Sequence, residues 1–347
     1  MLNILTNLRP EAYPSGFEIF GQEIRFYAII ILGGAILCAI YAFLRFAKPM
    51  GMSNDTVLEG LALGLFFGIL GGRIYYVIFN HEGIDNIWEA LNPRGGGLAI
   101  HGAIIATALF VTIYCKIKKM DLIKLCEIVV PTFLMCQVIG RWGNFMNQEA
   151  FGPIIDTIGG LTIENIQAAS IKGTGSYFNP YVLNDTVILA QREFMSKCLI
   201  PDFIVNQMYV ESGWILIDGK EIYISGYYHP TFLYESLMNF AVVLFMNIGR
   251  KYIKKYYVGD SLGVYLLSYG VVRFIIESLR TDPLTIGNTG IKIAQVISIL
   301  FVVGGILLLV LRRVFKYKLV SCYDALYAEG RTLNVEEKVE DKEANEE

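Results

Sequence analysis

Seven stretches of nearly unbroken apolar residues run along the chain, near 24–45, 57–79, 98–115, 124–141, 231–248, 261–279 and 291–313. Helices of this length, rising 1.5 Å per residue, match the ~30 Å hydrocarbon core of a bilayer, so each is read as a membrane span. Between the fourth and fifth lies a long mixed stretch, 153–228. Within it "WILIDGKEIYI" alternates apolar and polar positions around Asp218-Gly219, the pattern of two strands joined by a type I′ turn. A small extracytoplasmic subdomain is expected there. After the seventh run, "LNVEEKVEDKEANEE" has too little apolar surface to offset the entropy of ordering and should be disordered. These changes divide the chain into 1–152 (spans one to four), 153–228 (insertion), 229–313 (spans five to seven) and 314–347 (a charged tail).

Composition agrees with the pattern. Hydrophobic residues make up 54% of 347 and charged residues 18%, where a soluble chain carries about 25% charged residues. The fold class expected is an all-α polytopic membrane protein. No dense basic stripe suggests a nucleic-acid partner. The N-terminus, "MLNILTNLRPEAYPSGFEIFGQEIRF", lacks the basic start, short apolar core and small-residue site of a cleaved leader, and is expected to be retained. Six cysteines stand singly, without CxxC spacing, and read as small core residues rather than a zinc or disulfide framework. No D-x-D or HExxH motif suggests a metal, and no cofactor is expected.

Lysine and arginine set the orientation. Arg45 and Lys48, then Lys116, Lys118, Lys119 and Lys124, then Arg250, Lys251, Lys254 and Lys255, and finally Arg312, Arg313, Lys316 and Lys318 all fall on one side. By the positive-inside rule that side is the cytoplasm, which puts the N-terminus outside and the C-terminus inside.

Placed by depth, the polar residues collect in the outer half. An ionisable group inside a span costs ~2.5–3.5 kcal/mol on insertion scales and needs a reason. Tyr27 begins the first span, Arg73 nears the outer end of the second and His101 opens the third. Arg141 and Asn144 end the fourth, within "GRWGNFMNQEAFG", which also holds Asn147, Glu149 and Gly152. Tyr234 and Glu235 fall in the first turn of the fifth, and Arg273 and Glu277 share a face of the sixth at i,i+4 spacing. The inner half offers only boundary residues such as Glu59 and Glu127. Each residue has an ordinary structural explanation: Arg73 could snorkel to headgroups, Arg273 and Glu277 could form a private ion pair, and His101 could be hydrogen-bonded in place. Together they favour a cationic cavity open to the outer leaflet. Arginine's planar fork matches phosphate, and the phosphate carrier of that leaflet is a phospholipid. A lipid or anion transporter would need polar groups through both halves or paired broken helices, and neither is visible. A transferase using the same lipid with another acceptor stays open on this reasoning.

"GRWGNFMNQEAFG" closely resembles the G-R-x-G-N-F-x-N-x-E-x-x-G signature of prolipoprotein diacylglyceryl transferases. "RFYAIIILGG", "GGLAIHG", "HPTFLYES" and "RFIIESLR" follow in that family's order, so the resemblance covers roughly 20–152 and 227–313. It implies a multi-pass protein of the bacterial plasma membrane with its active site facing the outer leaflet. The reaction implied moves the diacylglyceryl group of phosphatidylglycerol onto the lipobox cysteine of a prolipoprotein signal peptide, releasing glycerol phosphate. Tyr27, His101, Arg141, Asn144, Glu149, Gly152, Arg273 and Glu277 match functional positions of the family. Arg280, Tyr234 and Glu235 sit within matching motifs, and Arg73 and Asn147 are expected nearby. The stretch 153–228 is longer than this loop usually is in the family.

Under that resemblance Arg141 and Arg273 are expected to neutralise the leaving phosphate, and His101 to deprotonate the thiol, oriented by Glu149 or Glu277. Asn144 and Tyr27 would hold glycerol or phosphate oxygens, and Gly152 and Arg280 complete the expected lipid-binding set.

Overall fold

The structure, a computed structural model, describes residues 8–19, 21–47, 49–79, 99–217, 220–279 and 292–327. A hairpin, β1 (Gly16–Ile19) and β2 (Gln22–Arg25), leads into α1 (Phe26–Ala42), which a π-helical turn extends over Phe43–Ala47. Next come α2 (Asn54–Phe79), α3 (Ile100–Ile117) and α4 (Leu122–Asn147). The insertion contributes α5 (Ile163–Ala169), β3 (Ser170–Lys172), β4 (Tyr181–Leu183), α6 (Asp185–Lys197), α7 (Asp202–Gln207), β5 (Tyr209–Ile217) and β6 (Lys220–Tyr227). The chain continues with α8 (Thr231–Tyr252), α9 (Asp260–Leu279), α10 (Ile293–Val314) and α11 (Cys322–Tyr327).

Every expected apolar run thus lies on a helix. Among the described residues six are long and apolar enough to cross a membrane, while α3 supplies a shorter apolar stretch, Gly102–Ile117. Leu37, Leu65, Phe66, Leu109 and Leu300 all lie open on the helix exteriors. A bundle in water would not leave such a surface uncovered. This is a multi-pass membrane protein.

The chain divides into two compact units, each assembled from separated segments. One comprises residues 39–132, 247–262 and 312–347. In it α2 and α3 approach closely through small residues: a Cβ on Gly71 would lie 2.1 Å from the Cβ of Ala106. Close backbone approach of this kind replaces the hydrophobic drive that lipid removes. The same unit contains an unexpected centre. Glu127, read from sequence as a boundary residue, is fully buried and satisfied on both oxygens. Its Oε1 accepts from Arg250 Nε at 2.7 Å and Ser261 Oγ at 2.6 Å, and its Oε2 from the Gly259 amide at 2.7 Å. Arg250 also donates to the Glu127 carbonyl. Beside it Asp260 pairs with Arg312 at 2.9 Å and Arg313 at 2.7 Å. The region after the seventh run is therefore partly folded, since Ser321 bridges to Tyr257 and α11 buries Cys322 and Leu326. The expected disordered segment lies outside the described residues.

The other unit holds 1–38, 133–246 and 263–311. The insertion within it is a folded body: a four-stranded sheet ordered β3-β4-β6-β5, with β4 parallel to β6 and the other pairs antiparallel. The expected hairpin is β5–β6, paired out to Ile217 and Lys220, and its two turn residues lie outside the described set. Its core gathers Ile166, Leu183, Ile188, Met195, Ile224, Tyr227 and Tyr228. Asn184 and Thr162 cap α6 and α5 through their side chains, as expected for these residue types.

Candidate active site

The site is built around the end of α4. That helix runs six residues past the expected limit of 141, to Asn147, so Arg141, Asn144 and Asn147 stand on its last two turns. The apolar members of the signature explain the extension. Trp142 and Phe145 turn to the opposite face and pack on Phe232 of α8, with ring centroids 5.5 and 4.9 Å apart. This burial pins the helix end and leaves the polar face free for the site. Gly143 has no alternative, because a Cβ there would lie 2.7 Å from the ring of Tyr27. Tyr27 is therefore placed against the signature, as expected, in the first turn of α1.

Glu235, expected from sequence only as a neighbour within a matching motif, stands at the centre of the cluster. Its Oε1 lies 2.6 Å from Arg141 Nη2 and its Oε2 3.7 Å from Arg273 Nη1. Arg273 Nη2 in turn meets Glu277 at 2.9 Å, the expected i,i+4 pair. On the other side Asn144 Oδ1 accepts from Arg141 Nη1 at 3.3 Å, and Asn144 Nδ2 donates to Glu149 at 2.9 Å. One continuous chain therefore runs from Glu149 through Asn144, Arg141, Glu235 and Arg273 to Glu277. Three carboxylates accompany two arginines.

The arrangement still presents positive charge outward. The side chains of Glu235 and Glu277 are 2% and 3% exposed, those of Arg141 and Arg273 21% and 19%. Glu235 and Glu277 lie behind and orient the guanidinium groups in front, while Glu149 is exposed at the other end of the chain of contacts. Arg273 Nη1 is buried without a hydrogen-bond partner, 3.7 Å from Glu235 Oε2. Such a donor suits an incoming oxyanion.

The segment after α4 is held in an unusual shape. Gln148 and Ala150, on either side of Glu149, both occupy the left-handed region at φ 49° and 54°. Non-glycine residues adopt it at a cost of ~1–2 kcal/mol each, and only where surroundings impose it. Here they do. Gln148 Nε2 donates to the carbonyls of Gln207 and Tyr209 at 2.7 and 3.0 Å, and Thr231 Oγ1 donates to the Ala150 carbonyl at 2.7 Å. Asn147 Nδ2 reaches Glu149 at 3.4 Å. Gly152 then pairs its amide with the His229 carbonyl at 2.9 Å, and a Cβ there would lie 2.8 Å from Thr231 Cγ2. This backbone crossing by itself requires glycine at 152. Tyr234, in the first turns of α8, places its hydroxyl 3.2 Å from His229 Nδ1. Burial pushes the His229 imidazole below its ordinary range.

Other expected members lie in the other unit or outside the described residues. Arg73 belongs to the other unit, where it is buried with its guanidinium 5.4 Å from the Tyr76 ring centroid. His101 occupies the first turn of α3 in that unit, with its side chain outside the described set, and Arg280 lies wholly outside that set. Among the described residues no His, Cys, Asp and Glu grouping of three or more suits a metal. Glu235, Gln148 and Gln207 were not recognisable as the ties they are. The signals for Glu235 were an acid in the first turns of an apolar helix and its place in the matching motif "HPTFLYES", and neither names its two arginine partners.

The prolipoprotein diacylglyceryl transferase family matches residues 14–311. The phosphatidylglycerol–prolipoprotein diacylglyceryl transferase 1 of Clostridium perfringens is 35% identical over 298 residues, covering 86% of this chain and 94% of its own length. The transferase of Clostridium novyi is 38% identical over 299 residues, 86% and 95% of the two chains. That of Bacillus cytotoxicus is 36% identical over 285 residues, 82% and 86%. With the signature residues assembled around Arg141 and the likeness extending over most of both chains, this protein belongs to the prolipoprotein diacylglyceryl transferase family.

Proposed function

We propose that this protein moves the diacylglyceryl group of phosphatidylglycerol onto the lipobox cysteine of prolipoprotein signal peptides, the first step of lipoprotein maturation. The observation that carries the reading is the pair of guanidinium groups flanking Glu235, each more exposed than the carboxylates that hold them. The carbon–oxygen bond to the phosphate breaks, and its electron pair leaves with glycerol phosphate. The thiolate forms the new carbon–sulfur bond, and the thiol proton goes to a base. Arg141 and Arg273 stabilise the charge that collects on the leaving phosphate. Asn144 and Tyr27 border the same helix face and hold lipid oxygens.

Resemblance offers His101 as the base, since an imidazole has the unperturbed pKa nearest working pH. Glu277 is committed to Arg273, so Glu149 is the freer orienting carboxylate. The site faces the outer leaflet of the plasma membrane, with the insertion extracytoplasmic and α11 cytoplasmic. The test is purified protein with phosphatidylglycerol and a lipobox peptide, read by mass spectrometry. The peptide should gain a diacylglyceryl mass and glycerol phosphate should appear in equal amount. Lipid consumed without peptide modification would point to another acceptor. For orientation, cysteines at 165 and 118 should label from opposite sides.

A further inference from the structure

We propose that one corner of the insertion, formed by Phe194, Leu199 and Phe203, is a membrane anchor whose partner is the phospholipid surface beside the start of α8. The proposal rests on reading α4 and α8 as spans, and goes beyond the transfer reaction. Its clue is how α6 ends. Leu199 adopts φ 58°, its amide donates to the Ser196 carbonyl at 3.0 Å, and the Ile200 amide reaches back to Met195 at 3.3 Å. This is the Schellman ending, in which the left-handed position normally takes glycine because a side chain is strained there. Ile200 makes the accompanying apolar contact by packing on the core, over buried Met195. Leu199 does neither: it holds the strained conformation and is 91% exposed. Folding alone gives no reason for a large apolar side chain at this point.

Its surroundings supply one. Phe194 and Phe203 are exposed on the same short stretch of chain. Each also touches the end of a span: Phe194 lies 6.0 Å, ring to ring, from His229, two residues before α8. Phe203 lies 6.2 Å from Phe145, in the last turn of α4. Two independent ring contacts thus hold this corner level with the ends of two membrane helices, the depth at which apolar and aromatic side chains partition into the interface. Lys197, paired with Glu193 at 3.1 Å, and exposed Asp202 flank it at headgroup level.

A second exposed apolar point provides the contrast. Phe178 is 95% exposed, and its neighbour Tyr177 packs on Tyr223 with centroids 5.5 Å apart. Tyr223 precedes Tyr227 by four residues on β6, so this point lies about 13 Å further back along the strand at ~3.3 Å per residue. It should be in water.

The test uses the full-length chain in vesicles of phosphatidylglycerol and phosphatidylethanolamine. A nitroxide is attached to Cys198, the exposed member of the described cysteines, and separately to Leu199→Cys in a Cys198→Ser chain. Reference labels sit at Leu244→Cys, on the open face of α8, and at Phe178→Cys. Collision rates with oxygen and with a water-soluble nickel chelate give depth. At 198, 199 and 244 oxygen should exceed nickel, and at 178 the order should reverse. A lipid-like 244 with a water-like 198 and 199 overturns the anchor. A water-like 244 overturns the span reading, and the anchor with it. None of these readouts needs turnover, so failure of the proposed reaction would be seen separately.

Discussion

Glu235→Gln isolates the role of the carboxylate behind the arginines. The substitution keeps the shape and one acceptor but removes the charge from a side chain that is 2% exposed and 2.6 Å from Arg141 Nη2. Breaking a buried ion pair outright costs about 3–5 kcal/mol. With an acceptor retained, a stability loss of ~2 kcal/mol is expected, too small to prevent accumulation in the membrane. The larger effect should fall on turnover. Without its anion, Arg141 loses its anchor and Arg273 loses the carboxylate 3.7 Å from Nη1. A ~1 Å drift of a group that meets transition-state charge costs about 100-fold, or ~2.7 kcal/mol. The assay is single-turnover transfer to a lipobox peptide over a range of phosphatidylglycerol, with Tm measured in parallel. The expected result is kcat down about 100-fold and KM for the lipid little changed. A variant within about threefold of wild-type kcat would show that Glu235 is a packing group, and would refute the view that carboxylates aim the guanidinium pair.

Arg141→Lys and Arg273→Lys should each lose most activity with protein levels kept, because an ammonium cannot span the two partners that each fork holds; near-normal transfer by either would remove it from the site. Gly152→Ala must displace Thr231 or His229, whose atoms lie 2.8 and 2.9 Å from the new Cβ, and should destabilise by ~1–3 kcal/mol, visible as a lower Tm. Arg250→Met leaves the Glu127 carboxylate buried without its cation; a loss of ~3–5 kcal/mol is expected in chemical denaturation, with normal specific activity in the surviving protein. His229 is held neutral by burial, so the unfolded chain binds the extra proton first. Its contribution is complete above the unfolded pKa of ~6.5 and is lost as pH falls below it, so from pH 7 to 5 wild type should lose more Tm than His229→Gln.

How far the sequence could be read depended on the range of the interaction involved. Apolar runs and their lengths are local, and each became a helix. The end of α4 was misjudged because Arg141 and Asn144 look like an exit from the membrane. Trp142 and Phe145 continue the apolar face, but only Phe232, far along the chain, makes that face count. Glu127 looked like a boundary acid for the same reason: its partner Arg250 is 123 positions away. In the insertion, the alternation of β5 and β6 was legible because period two is local. The helices α5 to α7 carry no comparable local signal, and the short strands β3 and β4 gain meaning only beside β6. The signature identified the family, yet its own geometry rests on Glu235, Gln148 and Gln207, whose ties are tertiary.

The pairing of Arg141 with Glu235 also sets an order of events during synthesis. The two residues are 94 positions apart, with the whole insertion between them. At about 5–20 residues per second, the fourth helix is complete for roughly 5–20 s before its counter-charge leaves the ribosome. The two acceptors of Gln148, at 207 and 209, emerge in the same interval. A nascent chain paused between residues 150 and 206 therefore carries an arginine near the end of a span with neither its carboxylate nor the acceptors of Gln148. In that window the fourth helix is free to shift toward water, and it settles at its final depth when α8 arrives.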